Sequence, residues 1–242
     1  MTMLPTLKVD DSDIPDLILV VGDPNRLNEV SEYLKDVKEL SKNREYHSIT
    51  GNYKGKHLAA VSHGVGSAGA GACFEELCRG GAKRIIRAGS AGGLQASVVA
   101  GDVVIAQAAV REDGLSGKLV PLTYPAIATP DLVIALRDAA KSLGIDFHEG
   151  LILTSDMFYP HDILGSDLPL WQQAGVNAVE MEAATLFVVC SLHGVQAAAV
   201  LAIDGNPLQD DGGSMETYNP RQDSVKVAVG NSIQLALAAL SS

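Results

Sequence analysis

The run LAAVSHGVGSAGAG, residues 58–71, decides the fold. Leu58 to Ser62 are apolar or small and read as a buried strand. The glycines that follow make a turn, and the chain then opens into a helix carrying Phe74, Leu77 and Cys78. A short apolar run ending in glycine and followed by an amphipathic stretch is the repeating unit of an α/β protein. Working outward, the same unit recurs. Leu17 to Val21 (LILVV) is a strand leading through GDPNR into a helix over roughly Leu27 to Leu34, and Lys83 to Ala88 (KRIIRA) is a strand that breaks at GSAGG. Asp102 to Ala106 and Gly150 to Leu153 are strands, the second running into TSDMFYP, with a helix from Asp131 to Ser142 capped by Asp131 between them. Glu182 to His193 is an apolar helix, Gln196 to Ile203 a strand running into DGNP, and Ser224 to Leu240 a closing amphipathic helix. With no low-complexity linker and no repeat, residues 1–242 read as one domain. The stretch Asp204 to Asn219, rich in Gly, Asp and Asn, reads as a loop and a candidate lid.

Composition narrows the function classes. The 242 residues carry 18 basic against 29 acidic side chains, a formal charge of −11. That balance argues against a nucleic-acid or anionic-membrane partner, both of which need a basic footprint. An anionic ligand must then be captured by a few focused arginines. The three cysteines, Cys73, Cys78 and Cys190, form no CxxC pair and have no neighbouring histidines, so neither a disulfide framework nor a zinc site is indicated. The six histidines show no ligand spacing, and no metal is expected. No run approaches the roughly 18 apolar residues of a membrane span, and the N-terminus lacks a signal-peptide pattern. A cytoplasmic, soluble protein is the expectation.

Polar residues gather at the ends of the strands, where α/β sheets deliver ligand-binding groups: Gly22 with Arg26, His63 with Gly64, Arg87 with Ser90, Ser155 with Asp156, and Asp204. GVGSAG (64–69) satisfies the GxGxxG dinucleotide fingerprint, but Arg87 stands near the end of the next strand where an NAD enzyme carries an acid. A simple tight turn that lets the helix pack closely, a phosphate- or nucleoside-contacting turn, and an NADP-binding dehydrogenase module all remain open. Arg26, Arg44 and Arg87 lie beside small or turn residues; each is a surface ion pair or, if the fold gathers them with Gly22 and Ser90, part of a phosphate clamp. Glu180 and Glu182 flank Met181 before the apolar helix. They either complement its dipole or offer a carboxylate that accepts from two sugar hydroxyls. Asp204 is either a turn-initiating residue or a buried general acid at the mouth of a pocket. Neither GxSxG nor a Cys and His arrangement points to a side-chain nucleophile.

Taken in order, GDPNR (22–26), NREY (43–46), SHGVGSAG (62–69), RAGSAGG (87–93), SDMFY (155–159), VEMEAATL (179–186) and the strand ending in Asp204 resemble the nucleoside phosphorylase-I family. They look closest to its hexameric-type purine-specific branch of bacteria and apicomplexan parasites, from about residue 15 to the C-terminus. The resemblance implies a single α/β domain with a mixed, partly barrel-like sheet flanked by helices, assembled as a trimer of dimers. It implies that Gly22, Arg26, Arg87 and Ser90 bind phosphate, with Arg44 reaching it from an adjacent subunit. Glu182 would hold the ribose 2′ and 3′ hydroxyls, Met181 would pack on the sugar with Glu180 nearby, Tyr159 would line the nucleoside pocket, and Asp204 would protonate the purine at N7. No cofactor is implied; inorganic phosphate is a co-substrate. The uridine-specific members carry a Gln and Arg pair after the SDMFYP segment, where this chain reads HDILGSD, and lack an acid at Asp204. Two departures from the family pattern are Thr6, where a histidine near the N-terminus is common, and QDDGGS (209–214), where the parasite enzymes carry an aromatic residue.

Overall fold

A computed structural model of the chain describes residues 2–208 and 223–242. The expected lid falls mostly outside these residues, as does QDDGGS; only Asp204 to Leu208 of that stretch are described. The strands are β1 (Leu17–Val21), β2 (Lys35–Asn43), β3 (Tyr46–Tyr53), β4 (Lys56–Ser62), β5 (Arg84–Gly93), β6 (Val103–Glu112), β7 (Ala126–Ile127), β8 (His148–Ser155), β9 (Ala178–Glu180) and β10 (Gln196–Gly205). The helices are α1 (Arg26–Ser31), α2 (Ser67–Arg79), α3 (Ser116–Leu119), α4 (Pro130–Leu143), α5 (Leu168–Gln173), α6 (Ala183–His193) and α7 (Asp223–Leu240).

All these strands join one mixed sheet. Along it the order is β10, β6, β8, β9, β5, β1, β4, β3, β2, with β7 on β6, and β10 also pairs with β5. That last pairing closes β5, β10, β6, β8 and β9 into a five-stranded barrel, from which β1 to β4 extend as a flap. β1, β4 and β10 run parallel to the strands they flank around β5, whereas β9 is antiparallel to β5. The apolar strands found in the sequence are those covered on both faces: Ile18 to Val21 and Ala197 to Ile203 are buried throughout. The all-apolar helix α6 is buried from Ala183 to Cys190, as a helix without a polar face must be. It packs beside α2, with Cys78 and Cys190 Sγ atoms 3.9 Å apart. Gly144 and Gly194, both at positive φ, end α4 and α6 with backbone N–H bonds back into the last turn.

Three local expectations are corrected. β5 does not break at GSAGG but runs through it to Gly93, because glycines there admit close neighbours. A Cβ on Gly93 would sit 2.3 Å from the Val98 carbonyl oxygen, and one on Gly92 would sit 3.0 Å from Pro207 Cδ. The N-cap of α4 is Thr129, not Asp131; Pro130 takes the first helical position and Asp131 stands in the first turn, where its charge complements the helix dipole. The first helix begins at Arg26 and ends at Ser31. The sequence offered no assignment for residues 35–53, which form β2 and β3. β2, KDVKELSKN, is a charged, largely exposed edge strand, so it lacks the apolar signal and its lysines protect the edge. Among the described residues, no helix is long and apolar enough to cross a membrane.

Candidate active site

The strands that flank β5 on either side carry side chains from distant parts of the chain to one spot around Arg87, in the middle of β5. Arg87 is buried, and each of its guanidinium nitrogens has a different partner. Nε donates to Glu180 Oε2 at 3.2 Å, Nη2 to Glu182 Oε2 at 2.5 Å, and Nη1 lies 3.0 Å from His63 Nε2. Burial works against its charge, but Glu182 and Glu180 together hold its pKa above the ordinary arginine value. The guanidinium folds back over its own strand: a Cβ on Gly89 would lie 2.7 Å from Arg87 Cζ. Gly22, just past β1, sits on the other side, where an added Cβ would meet the Gly64 carbonyl, Arg87 Nη1 and His63 Cε1 at 3.6 to 3.9 Å.

β1 and β4 pair in parallel, and their ladder continues past both strand ends through His63 N–H to the Val21 carbonyl and Gly64 N–H to the Gly22 carbonyl. The two glycine turns therefore lie side by side. From the first of them Arg26 begins α1, half-buried. Burial lowers its pKa, the like charge of Arg87 lowers it further, and Glu29, Asp23 and Asp204 oppose this. Two arginines close enough to repel, beside backbone turns, form a region that gains from an entering anion. Asp204 ends the buried part of β10, and Ser90 stands opposite Ala202 on the same strand pair.

The two glutamates separate in role. Glu180 ends β9, where it pairs with Thr154 of β8. Its carboxylate accepts from Arg87 Nε, from the backbone N–H groups of Glu182 and Ala183, and from Thr154 Oγ1 at 2.6 Å. It caps α6 and anchors Arg87, as the dipole reading of the sequence allowed. Glu182 is the N-cap of α6. Its oxygens accept from Arg87 and, at 2.6 Å, from Gly66 N–H in the turn before α2. Burial pushes the Glu182 carboxyl up, Arg87 pulls it back, and Glu180 pushes it up again, leaving it above the usual range. Met181 lies half-buried between them.

Not every residue singled out in the sequence joins this cluster. Arg44 is exposed at the tip of the β2–β3 hairpin with φ of 56°; its neighbour Glu45 packs against Gly64. Tyr159 is 76% exposed on the loop after β8, ring-to-edge with Phe158. That loop lines an open cleft of about 820 Å³ with Glu112, Ser155, Asp156 and Met157. Thr6 is clamped from two sides, its N–H on Glu76 and its carbonyl receiving Asn43 Nδ2. Three contributors were missed as site residues. His63 and Asp156 showed only as polar residues at strand ends, and Gly89 showed only as one of several glycines. Asp156 accepts from Ser67 Oγ and Gly114 N–H, tying the start of α2 to the loop after β6.

The sequence profile of the phosphorylase superfamily matches residues 16–241. The chain is 40% identical to a purine nucleoside phosphorylase of Plasmodium falciparum over 97% of both chains. It is 35% identical to a uridine phosphorylase of Thermococcus kodakarensis, covering 89% of this chain and 83% of the other. A crystal structure of the purine nucleoside phosphorylase from Toxoplasma gondii, in complex with immucillin-H, superposes with a TM-score of 0.94 at 35% identity, covering 99% of this chain and 96% of that one.

Proposed function

Since the chain belongs to the phosphorylase superfamily, we propose that it is a purine nucleoside phosphorylase, cleaving inosine- or guanosine-type nucleosides to the free base and ribose 1-phosphate. The observation that carries this reading is the buried guanidinium of Arg87, shared between Glu180 and Glu182 and set beside Gly22 and Arg26. Such a site offers an anion and a sugar diol adjoining places.

In this reading Gly22, Arg26, Arg87 and Ser90 receive phosphate, with Arg44 contributed by a neighbouring copy of the chain. The exposed hairpin position of Arg44 supports a role outside its own protomer. Glu182 accepts hydrogen bonds from the ribose hydroxyls, and Met181 packs on the sugar. A phosphate oxygen forms the new bond to C1′ as the bond from C1′ to the base nitrogen breaks, the electron pair leaving with the purine. The sugar carries positive charge in the transition state, and the bound anion stabilises it. Asp204, at the end of β10, delivers a proton to N7 of the departing base, and Tyr159 lines the nucleoside pocket. The displacement needs no cofactor. A cytoplasmic role in purine salvage and a hexamer built as a trimer of dimers complete the proposal.

Uridine phosphorolysis is the second reading, favoured by the similarity to uridine phosphorylases. Against it stands HDILGSD (161–167), which lacks a Gln and Arg pair. A panel of inosine, guanosine, adenosine and uridine, each with and without phosphate, decides. Inosine or guanosine should be cleaved only when phosphate is supplied. Equal turnover in phosphate-free buffer overturns the proposal in favour of hydrolysis, and preferential cleavage of uridine overturns the purine assignment.

A further inference from the structure

Among the described residues Arg87 has three holders, two of them carboxylates. The third, His63, directly follows β4 and is fully buried. Arginine keeps its proton at any ordinary pH, so in the 3.0 Å contact Nη1 is the donor and His63 Nε2 the acceptor. This sets the state of the ring: neutral, with its proton on Nδ1. Burial and the adjacent Arg87 both hold the imidazole well below its ordinary pKa, in keeping with that state.

Among the described residues Nδ1 is buried without a hydrogen bond of ordinary geometry; only the backbone of Gly64 and of His63 itself weakly favours a proton on the ring. A buried N–H held so weakly is uncommon in folded proteins and calls for a reason. Packing does not supply one. His63 stacks edge-on against Phe74, centroids 5.2 Å apart, and an apolar side chain would fill that space without stranding a donor. What an apolar residue could not offer is the Nε2 lone pair directed at Arg87.

We propose that His63 is the positioning residue that aims Arg87 at phosphate, and that it does so as a neutral acceptor. Arginine has five N–H donors; among the described residues one each goes to Glu180, Glu182 and His63, which leaves two for an anion. The carboxylates also hold the guanidinium, but their negative charges oppose an arriving phosphate, and Glu182 has ribose hydroxyls to receive. His63 restrains Nη1 without adding negative charge, so its hold persists when phosphate arrives. The inference rests on the reading of Arg87 as a phosphate ligand.

The test is steady-state phosphorolysis with phosphate varied at saturating nucleoside, and the reverse, for His63→Leu and His63→Gln. Loss of one hydrogen bond to a charged group should raise the phosphate KM of His63→Leu about tenfold, with the nucleoside KM changed less than about threefold. His63→Gln can place an amide oxygen where Nε2 stood and should return the phosphate KM to within about threefold of wild type. Equal phosphate KM values for the two variants, or a wild-type value for His63→Leu, overturn the proposal. If His63→Leu does not fold, judged by circular dichroism, His63→Asn replaces it. Its amide is too short to reach Nη1, so its phosphate KM must exceed that of His63→Gln, and equality overturns the proposal. Arg87→Met separates the two layers. An unchanged phosphate KM there sinks the reading of Arg87 itself, whereas a raised one with no effect of His63→Leu sinks only the inference about His63.

Discussion

Replacing Gly89 by alanine is the sharpest probe of how Arg87 is held. The substitution adds one methyl group at a buried position whose backbone is not in the left-handed region, so alanine meets no conformational obstacle. Its effect must come through what the methyl touches. The new Cβ would lie 2.7 Å from Arg87 Cζ, 2.8 Å from Nη2 and 3.0 Å from Nη1. To reach ordinary van der Waals contact at 3.4 Å the guanidinium must retreat by about 0.7 Å. On an exposed arginine that shift would be free. Here the group is pinned by Glu180, Glu182 and His63, so a retreat from the methyl group strains those three bonds. Loss of one charge-assisted hydrogen bond costs about 1.5–3 kcal/mol. For a chain of this length that is a fall in Tm of about 3–12 °C. A displacement approaching an ångström at a positioning group also costs about 10²-fold in rate, so kcat/KM for phosphate should fall by about that factor. Thermal unfolding and phosphate-varied kinetics measure the two effects. A double-mutant cycle assigns them: in an Arg87→Met background Gly89→Ala should be close to neutral, because the colliding group is gone. A Gly89→Ala protein with wild-type Tm and wild-type phosphate kinetics would refute the geometry on which this account of the site rests.

The remaining predictions concern the acids and the histidine. Glu180→Gln should destabilise the fold by about 3–5 kcal/mol, since it breaks a buried ion pair and turns an amide donor toward N–H groups that need an acceptor; Glu182→Gln should lose less stability but raise the nucleoside KM, and the reverse ranking in melts and kinetics would exchange their roles. Asp204→Ala should cut purine-nucleoside turnover far more than it weakens phosphate binding, and an unchanged rate removes Asp204 from the acid role. The third prediction is a pH dependence. His63 is held neutral in the fold by burial and by the charges of Arg87 and Arg26, so its pKa lies below the unfolded value near 6.5. Its contribution to stability is therefore present above pH 6.5 and is lost as the pH falls toward the folded value. Between those limits the stability of the wild type relative to His63→Gln should drop by up to about 1.4 kcal/mol per pH unit. Denaturant titrations of both proteins at pH 7, 6 and 5 check this, and parallel curves would contradict it.

The amino-acid sequence by itself determined which segments are buried and where the polar residues interrupt them. LILVV, LAAVS and QAAAVLAI could be read as strands because each is covered on both faces and so has no polar face to blur the pattern. The helix AATLFVVCSLH was legible for the same reason, and the residues at the strand ends were identified because charge and glycine stand out against apolar runs. β2 escaped notice because an exposed edge strand is selected for charge, which the sequence shows equally in a loop. Which strands meet was never in the sequence, since periodicity reports burial and not partners. Only the strand pairings around β5 assemble the site: β9, antiparallel beside β5, brings Glu180 and Glu182 to Arg87 from 93 and 95 residues further along the chain, and β10, which closes the barrel, adds Asp204. The division of labour between those two glutamates was likewise undecidable from VEMEAATL, because either could cap the helix. The bend from β9 into α6 turns Glu180 inward onto the helix N-terminus and sends Glu182 to the turn before α2. His63 shows the same limit most plainly. In the sequence it is one histidine of six beside a glycine turn, and it becomes informative only when the fold sets a charged donor against one ring nitrogen and, among the described residues, no well-formed hydrogen bond against the other.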